Sequence, residues 1–102
     1  MDKRVVITGM GIISPIGNDL GTFWNSLENG ICGIDFIKSV STEGLNVKVA
    51  GEVKDFKATD FGIDAKAARK YDRFCLFAMA AANQAVAQSG LKVTDDRDCD
   101  DP

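Results

Sequence analysis

The sequence predicts an α/β fold, on three observations. Val5-Val6-Ile7 is a β-branched apolar run near the start of the chain, the composition of a strand buried on both faces, as in a parallel sheet. Val47 to Val53 alternates apolar with other residues, the period of a half-buried strand. Between and after these runs, apolar residues recur at helical spacing over 19–29 and 73–89, each stretch preceded by a capping residue and followed by glycine.

The opening stretch, Arg4 to Asn18, organises the rest. After the predicted strand, Thr8-Gly9-Met10-Gly11 lets the backbone turn tightly or pass close to another segment, because glycine has no Cβ. Ile12-Ile13 is apolar again, and Ser14-Pro15-Ile16-Gly17-Asn18 is turn chemistry. Gly9-x-Gly11 after a strand also suggests a dinucleotide site, with Asp35 as the ribose ligand. That fingerprint needs a third glycine opening a helix, and the position holds Ser14 followed by Pro15. The simpler reading is that the glycines allow close packing in a sheet core.

A helix is predicted from Asp19 to Asn29. Leu20, Phe23, Trp24 and Leu27 fall at i, i+3, i+4 and i+7 and share one face, where Phe23 and Trp24 read as core anchors. Asn18 or Asp19 caps the start and Gly30 ends it. Ile31 to Glu43 reads as irregular, with Ile34 to Ile37 a poor strand and Cys32 a small buried or half-buried turn residue. In the strand Val47–Val53, Gly51 marks a candidate bulge, and Lys54 to Thr59 leads away as a loop. Asp64 caps a short helix to Lys70, and Asp72 caps the longest helix, Arg73 to Ser89, closed by Gly90. The predicted packing face of that helix carries Phe74, Phe77, Ala78, Ala81, Ala85 and Val86, with Cys75 as a packing residue. Its run of alanines suits a helix approached closely on several sides.

The chain has 102 residues, 45% hydrophobic and 26% charged, which suits a soluble globular domain with a modest core. No apolar run approaches the roughly 20 residues of a membrane span, and no charged-then-apolar leader precedes the first strand, so a cytoplasmic protein is expected. Cys32, Cys75 and Cys99 are odd in number and widely spaced, against a disulfide framework. The absence of histidine disfavours a zinc site. Net charge is -3, but the stretch 95–101 alone carries five Asp and one Arg, leaving the body at +1. An acidic, disordered tail over 95–102 is expected.

Several of these blocks together resemble a known family. Val-Val-Ile-Thr-Gly-Met-Gly-Ile-Ile-Ser-Pro-Ile-Gly (residues 5–17) is similar to the N-terminal signature of the β-ketoacyl-acyl-carrier-protein synthases, condensing enzymes of the thiolase-like superfamily. Phe23-Trp24-Asn25-Ser26-Leu27, Gly33-Ile34, Ala50-Gly51-Glu52-Val53-Lys54-Asp55-Phe56, Arg69-Lys70-Tyr71-Asp72, and Gln84-Ala85 with Ser89-Gly90-Leu91 follow in the same order and spacing. The resemblance runs from Arg4 to about Thr94, nearest to the chain-elongating type II synthases. It implies that residues 1–94 are the N-terminal portion of a layered αβαβα thiolase-like fold, incomplete in this chain. It further implies a normally homodimeric parent that condenses acyl-enzyme with malonyl-carrier, releasing carbon dioxide, in fatty acid elongation. The expected partner is the acyl carrier protein; neither nucleic acid nor membrane is expected. No metal or organic cofactor is implied, since the phosphopantetheine belongs to the carrier.

The resemblance also says what is missing. The family uses a cysteine in a Thr-Ala-Cys-type motif, two histidines and a lysine, which must lie within hydrogen-bond reach of one another and the substrate. No histidine is present, and Cys32, Cys75 and Cys99 stand in other contexts, so no catalytic residue carries over. The chain alone is expected to be inactive. Lys66, Arg69 and Lys70, at i, i+3 and i+4, project from one helix face by spacing. Spacing alone fits a solvated basic face beside Asp64 and Asp72; the resemblance implies docking of the acidic carrier helix, where such a patch steers association. Three other readings stay open. They are a polyketide ketosynthase or its inactive chain-length partner, a non-catalytic product that binds carrier or competes for a dimer partner, and the nucleotide-binding domain.

Overall fold

In the computed structural model, residues 2–92 are described. The acidic stretch 95–102, the last matching residues near Thr94, and Cys99 lie outside the described residues. The elements in order are α1 (Leu20–Glu28), β1 (Ile34–Phe36), β2 (Val49–Gly51), a 3-10 turn (Ala58–Phe61), α2 (Ala65–Ala68) and α3 (Arg73–Ser89).

The helices begin and end where local chemistry allows. Asp19 caps α1, its carboxylate accepting from the Thr22 N–H at 2.8 Å, and satisfies a donor that the first helical turn leaves without a partner. Gly30 follows at φ +64, a conformation that L side chains rarely adopt. Asp64 caps α2 through the Lys66 N–H at 3.3 Å. Asp72 has the extended backbone of a cap at α3 but makes no side-chain capping bond, and Gly90 closes α3 at φ +71.

The packing of α1 differs from the amphipathic reading. Trp24 is 60% and Leu27 49% exposed, while Ser26 is buried. Ser26 donates its hydroxyl to the Ile16 carbonyl at 2.7 Å, so a polar contact fastens α1 to the Ser14–Gly17 turn. The indole of Trp24 instead donates to Glu28 at 2.8 Å along the helix surface. Trp24 is therefore no core anchor among the described residues.

Ile34–Phe36 is a strand where irregular chain was expected. It pairs antiparallel with β2 in the register Ile34↔Gly51, Asp35↔Ala50 and Phe36↔Val49. Gly51 sits in regular register against the Pro15 ring and forms no bulge. The connecting loop is fastened by Glu52, whose carboxylate accepts from the N–H of Lys38 at 2.7 Å and from the Ser39 hydroxyl. Cys32 is exposed, not buried, because the turn it occupies runs along the surface. The predicted loop 54–59 in part forms the 3-10 turn.

The core is small. Ile63, Leu76 and Ala80 are buried, with Ile13, Phe56, Phe61 and Ala68 packed partly against them. Full burial of Ile63 and Leu76 stabilises by about 1.5–3 kcal/mol each. The buried stripe on α3 runs through Leu76 and Ala80, which the expected face left out. Of that face Phe77, Ala81 and Ala85 are half-buried, while Phe74 is 70% exposed and Ala78 and Val86 are exposed too. Phe56 stacks on Phe61 at 5.5 Å and meets Phe77 edge-on at 4.9 Å.

The opening run takes no part in a sheet among the described residues. Val5 and Ile7 are 93% and 82% exposed, and the sole sheet described joins β1 to β2. A buried parallel strand needs neighbours on both edges and a layer on each face. The described chain brings only α3 to this segment, and only beyond Thr8. There Met10 N–H donates to Gln88 at 2.7 Å, and Ile12 exchanges hydrogen bonds with the Gln84 carboxamide at 3.2 and 3.1 Å. A Cβ on Gly9 or Gly11 would collide with the backbone carbonyls of Ala85 and Ala81. The close approach read from the glycines is present, but its partner is a helix rather than a neighbouring strand.

Candidate functional site

Two surfaces are candidates for a functional site: the basic turn after α2 and the groove beside the hairpin. The α-helix of α2 closes at Ala68, earlier than predicted, because Arg69 is its C-cap and the Lys70 N–H bonds to Ala67 O at 3.0 Å in a tighter turn. Lys66 therefore stands on the helix, Arg69 at its cap and Lys70 in the closing turn. All three are exposed, and none forms an ion pair among the described residues, where the sole salt bridge joins Lys38 to Asp35 at 3.7 Å. Of the two flanking acids, Asp64 is engaged as the cap of α2, while Asp72 makes no side-chain capping bond and forms no ion pair among the described residues.

Arg73 opens α3 just beyond this turn. Its guanidinium lies over the Phe77 ring at 5.0 Å from the centroid. Through Phe77 it joins the ring contacts that reach Phe56 and Phe61, and Asn83 ties the 3-10 turn to α3 by donating to Phe61 O at 2.8 Å.

The groove has a volume of about 540 Å³ and is lined among others by Asp35, Lys38, Glu52, Lys54, Phe56 and Arg73. Its charges balance in sign. The Phe36 N–H and then the Lys38 ammonium hold the Asp35 carboxyl below its usual range. The Ser39 hydroxyl and the Lys38 N–H do the same for Glu52. The Lys54 ammonium donates to Pro15 O at 3.3 Å and Gly33 O at 3.4 Å, bracing the opening turn against the hairpin. These contacts shape a scaffold, in which the Ser39 hydroxyl donates to the Glu52 carboxylate and fastens the loop after β1.

A dinucleotide site is excluded at the glycine turn. The pyrophosphate in such a site sits on backbone N–H groups at a helix N-terminus. Here Gly9 and Gly11 face the C-terminal half of α3 and their Cβ space is filled by its backbone, while α1 begins only at Leu20. Asp35 is a surface residue paired with Lys38. Sequence reasoning missed β1, the Glu52 clasp and the Gln84 and Gln88 contacts. A polar face on α3 opposite the glycines was the available signal for the last.

The comparisons agree with this scaffold. The family model "Beta-ketoacyl synthase, N-terminal domain" matches residues 2–100. A 3-oxoacyl-[acyl-carrier-protein] synthase 2 of Staphylococcus aureus strain N315 is 49% identical over 94 residues, covering 92% of this chain and 22% of that protein. The 3-oxoacyl-[acyl-carrier-protein] synthase 2 of a Synechocystis strain is 44% identical over 93 residues, 91% of this chain and 22% of that protein. A solved structure, the ishigamide ketosynthase/chain length factor, superposes with a TM-score of 0.76 at 34% identity, over 85% of this chain and 21% of that one. The chain thus spans about a fifth of the length of the relatives it matches. No helix of the described residues is long and apolar enough to cross a membrane. With the matched blocks in order along nearly the whole sequence and a thiolase-like ketosynthase as structural neighbour, the chain belongs to the β-ketoacyl synthase family, in the N-terminal domain of that family's fold.

Proposed function

We propose that this chain is the N-terminal part of a chain-elongating 3-oxoacyl-[acyl-carrier-protein] synthase. Such an enzyme condenses acyl-enzyme with malonyl-carrier to give β-ketoacyl-carrier and carbon dioxide in fatty acid synthesis. One observation carries the reading: 49% identity, over 92% of the chain, to a protein of that name. Within the whole enzyme these residues supply scaffold and carrier-facing surface, and the nucleophile and histidines come from elsewhere. The working assembly is a homodimer in the cytoplasm, where thiols stay reduced.

Lys66, Arg69 and Lys70 are proposed to meet the acidic face of the acyl carrier protein. Their exposure and freedom from ion pairs among the described residues support this, since cations without intramolecular partners are available to an acidic surface. A polyketide ketosynthase or chain-length partner is the second reading, favoured by the 34% identity to the ishigamide ketosynthase/chain length factor.

The test is a graft. Residues 2–92 replace the matching segment of the Staphylococcus aureus synthase, and condensation of malonyl-carrier is measured. Retained turnover with short acyl-carrier primers supports the proposal. A folded, inactive chimera overturns it. Reversal of charge at Lys66, Arg69 and Lys70 is expected to raise KM for the carrier and flatten its salt dependence while sparing kcat. An unchanged KM returns the patch to a solvated face.

A further inference from the structure

The geometry points to Arg73 as a fourth carrier-docking residue, held ready by its seat on Phe77; this rests on the proposed docking at Lys66, Arg69 and Lys70. Arg73 is exposed and follows the basic turn directly, at the first position of α3. It makes no salt bridge among the described residues. Glu52 faces it across the groove and feels its charge, but the Glu52 oxygens are taken by Lys38 N–H and by Ser39. Asp35 and Asp55 line the same groove, with Lys38 and Lys54 beside them. The guanidinium is therefore not committed to an internal acid.

What distinguishes Arg73 is its order. Its guanidinium stands 5.0 Å from the Phe77 centroid, and Phe77 in turn abuts Phe56, which stacks on Phe61. The 3-10 turn that holds Phe61 packs against both α2 and α3. The ring contacts thus fix Arg73 relative to the 3-10 turn, which also packs against the helix that carries Lys66. A flexible lysine loses rotamer freedom when it docks, whereas a stacked guanidinium has already lost much of it. Arg73 also offers a planar donor fork to a carboxylate.

The experiment measures binding of holo acyl carrier protein to the 102-residue chain, with rates at several salt concentrations and circular dichroism of every variant. Arg73→Gln is expected to weaken binding about three- to fivefold and to reduce the salt dependence of the on-rate. Arg73→Lys and Phe77→Leu keep the charge and lose the stack, so each is expected to weaken binding about twofold with the salt dependence kept. Arg73→Gln that leaves both affinity and salt dependence unchanged, while the triple reversal at Lys66, Arg69 and Lys70 abolishes binding, overturns this inference alone. A triple reversal without effect, or no binding by the unaltered chain, overturns the docking reading and this one with it. Arg73→Gln that lowers helicity and affinity together but keeps the salt dependence assigns Arg73 a structural role and also overturns the inference.

Discussion

Replacing Gln84 with leucine removes the clasp that holds the opening segment on α3. The Gln84 carboxamide accepts from Ile12 N–H at 3.2 Å and donates to Ile12 O at 3.1 Å and Asn18 O at 2.8 Å. Three such neutral bonds contribute about 1 kcal/mol each, or about 3 kcal/mol together. Leucine recovers part of that, about 1 kcal/mol, because the site is only half-buried. The expected net loss is about 2 kcal/mol, roughly a thirtyfold rise in the open population if the segment detaches as a unit. Amide hydrogen exchange at Ile12 and Met10 reads this directly, and both sites should lose protection while α1 amides do not. Gln88→Leu is the control: it removes one exposed bond, to Met10 N, and should cost about 0.5 kcal/mol at Met10 alone. Unchanged protection at Ile12 in Gln84→Leu would refute the idea that α3 side chains, rather than neighbouring strands, hold this segment.

Gly11→Ala should loosen the same contact by about 1–3 kcal/mol, because the new Cβ meets the Ala81 carbonyl and the Gln84 Cβ. Gly30→Ala, with open space around it and φ +64, should cost about 1 kcal/mol from backbone strain alone; parallel urea melts compare the two. Glu52 has its carboxyl held below the ordinary range by Ser39 and by Lys38 N–H, so its contribution is present above its unfolded pKa. It is lost as pH falls through the lower folded value, and the Lys38 and Ser39 amides should lose exchange protection over that acid window in the wild type but not in Glu52→Gln. The purified 102-residue chain should show no carbon dioxide release from malonyl-carrier, since it contains no histidine; measurable turnover would overturn the assignment of chemistry to other parts of the enzyme.

Where the sequence was readable, the signals were local. Asp19, Asp64 and Gly90 announced their helix ends because a cap acts on N–H or C=O groups only a few residues away. The basic cluster was visible as spacing, although the early end of α2 at Ala68 places its members on a helix and a turn. Trp24 misled because an amphipathic stripe tells which residues share a face and not whether anything covers it. The Gln84 contacts were missed because a glutamine on a helix is ordinary until its partner backbone is known.

The order of motifs along the chain was enough to place it in its family and to locate its helices, since both depend on neighbours in sequence. Three outcomes needed the assembled structure. Ile34–Phe36 became a strand because Val49–Gly51 lies beside it. Gly9 and Gly11 met a helix because α3 folds back across them. Val5 and Ile7 stayed exposed because no described segment covers them. Each outcome depends on residues distant in sequence, since strand pairing and burial arise only when separate segments meet.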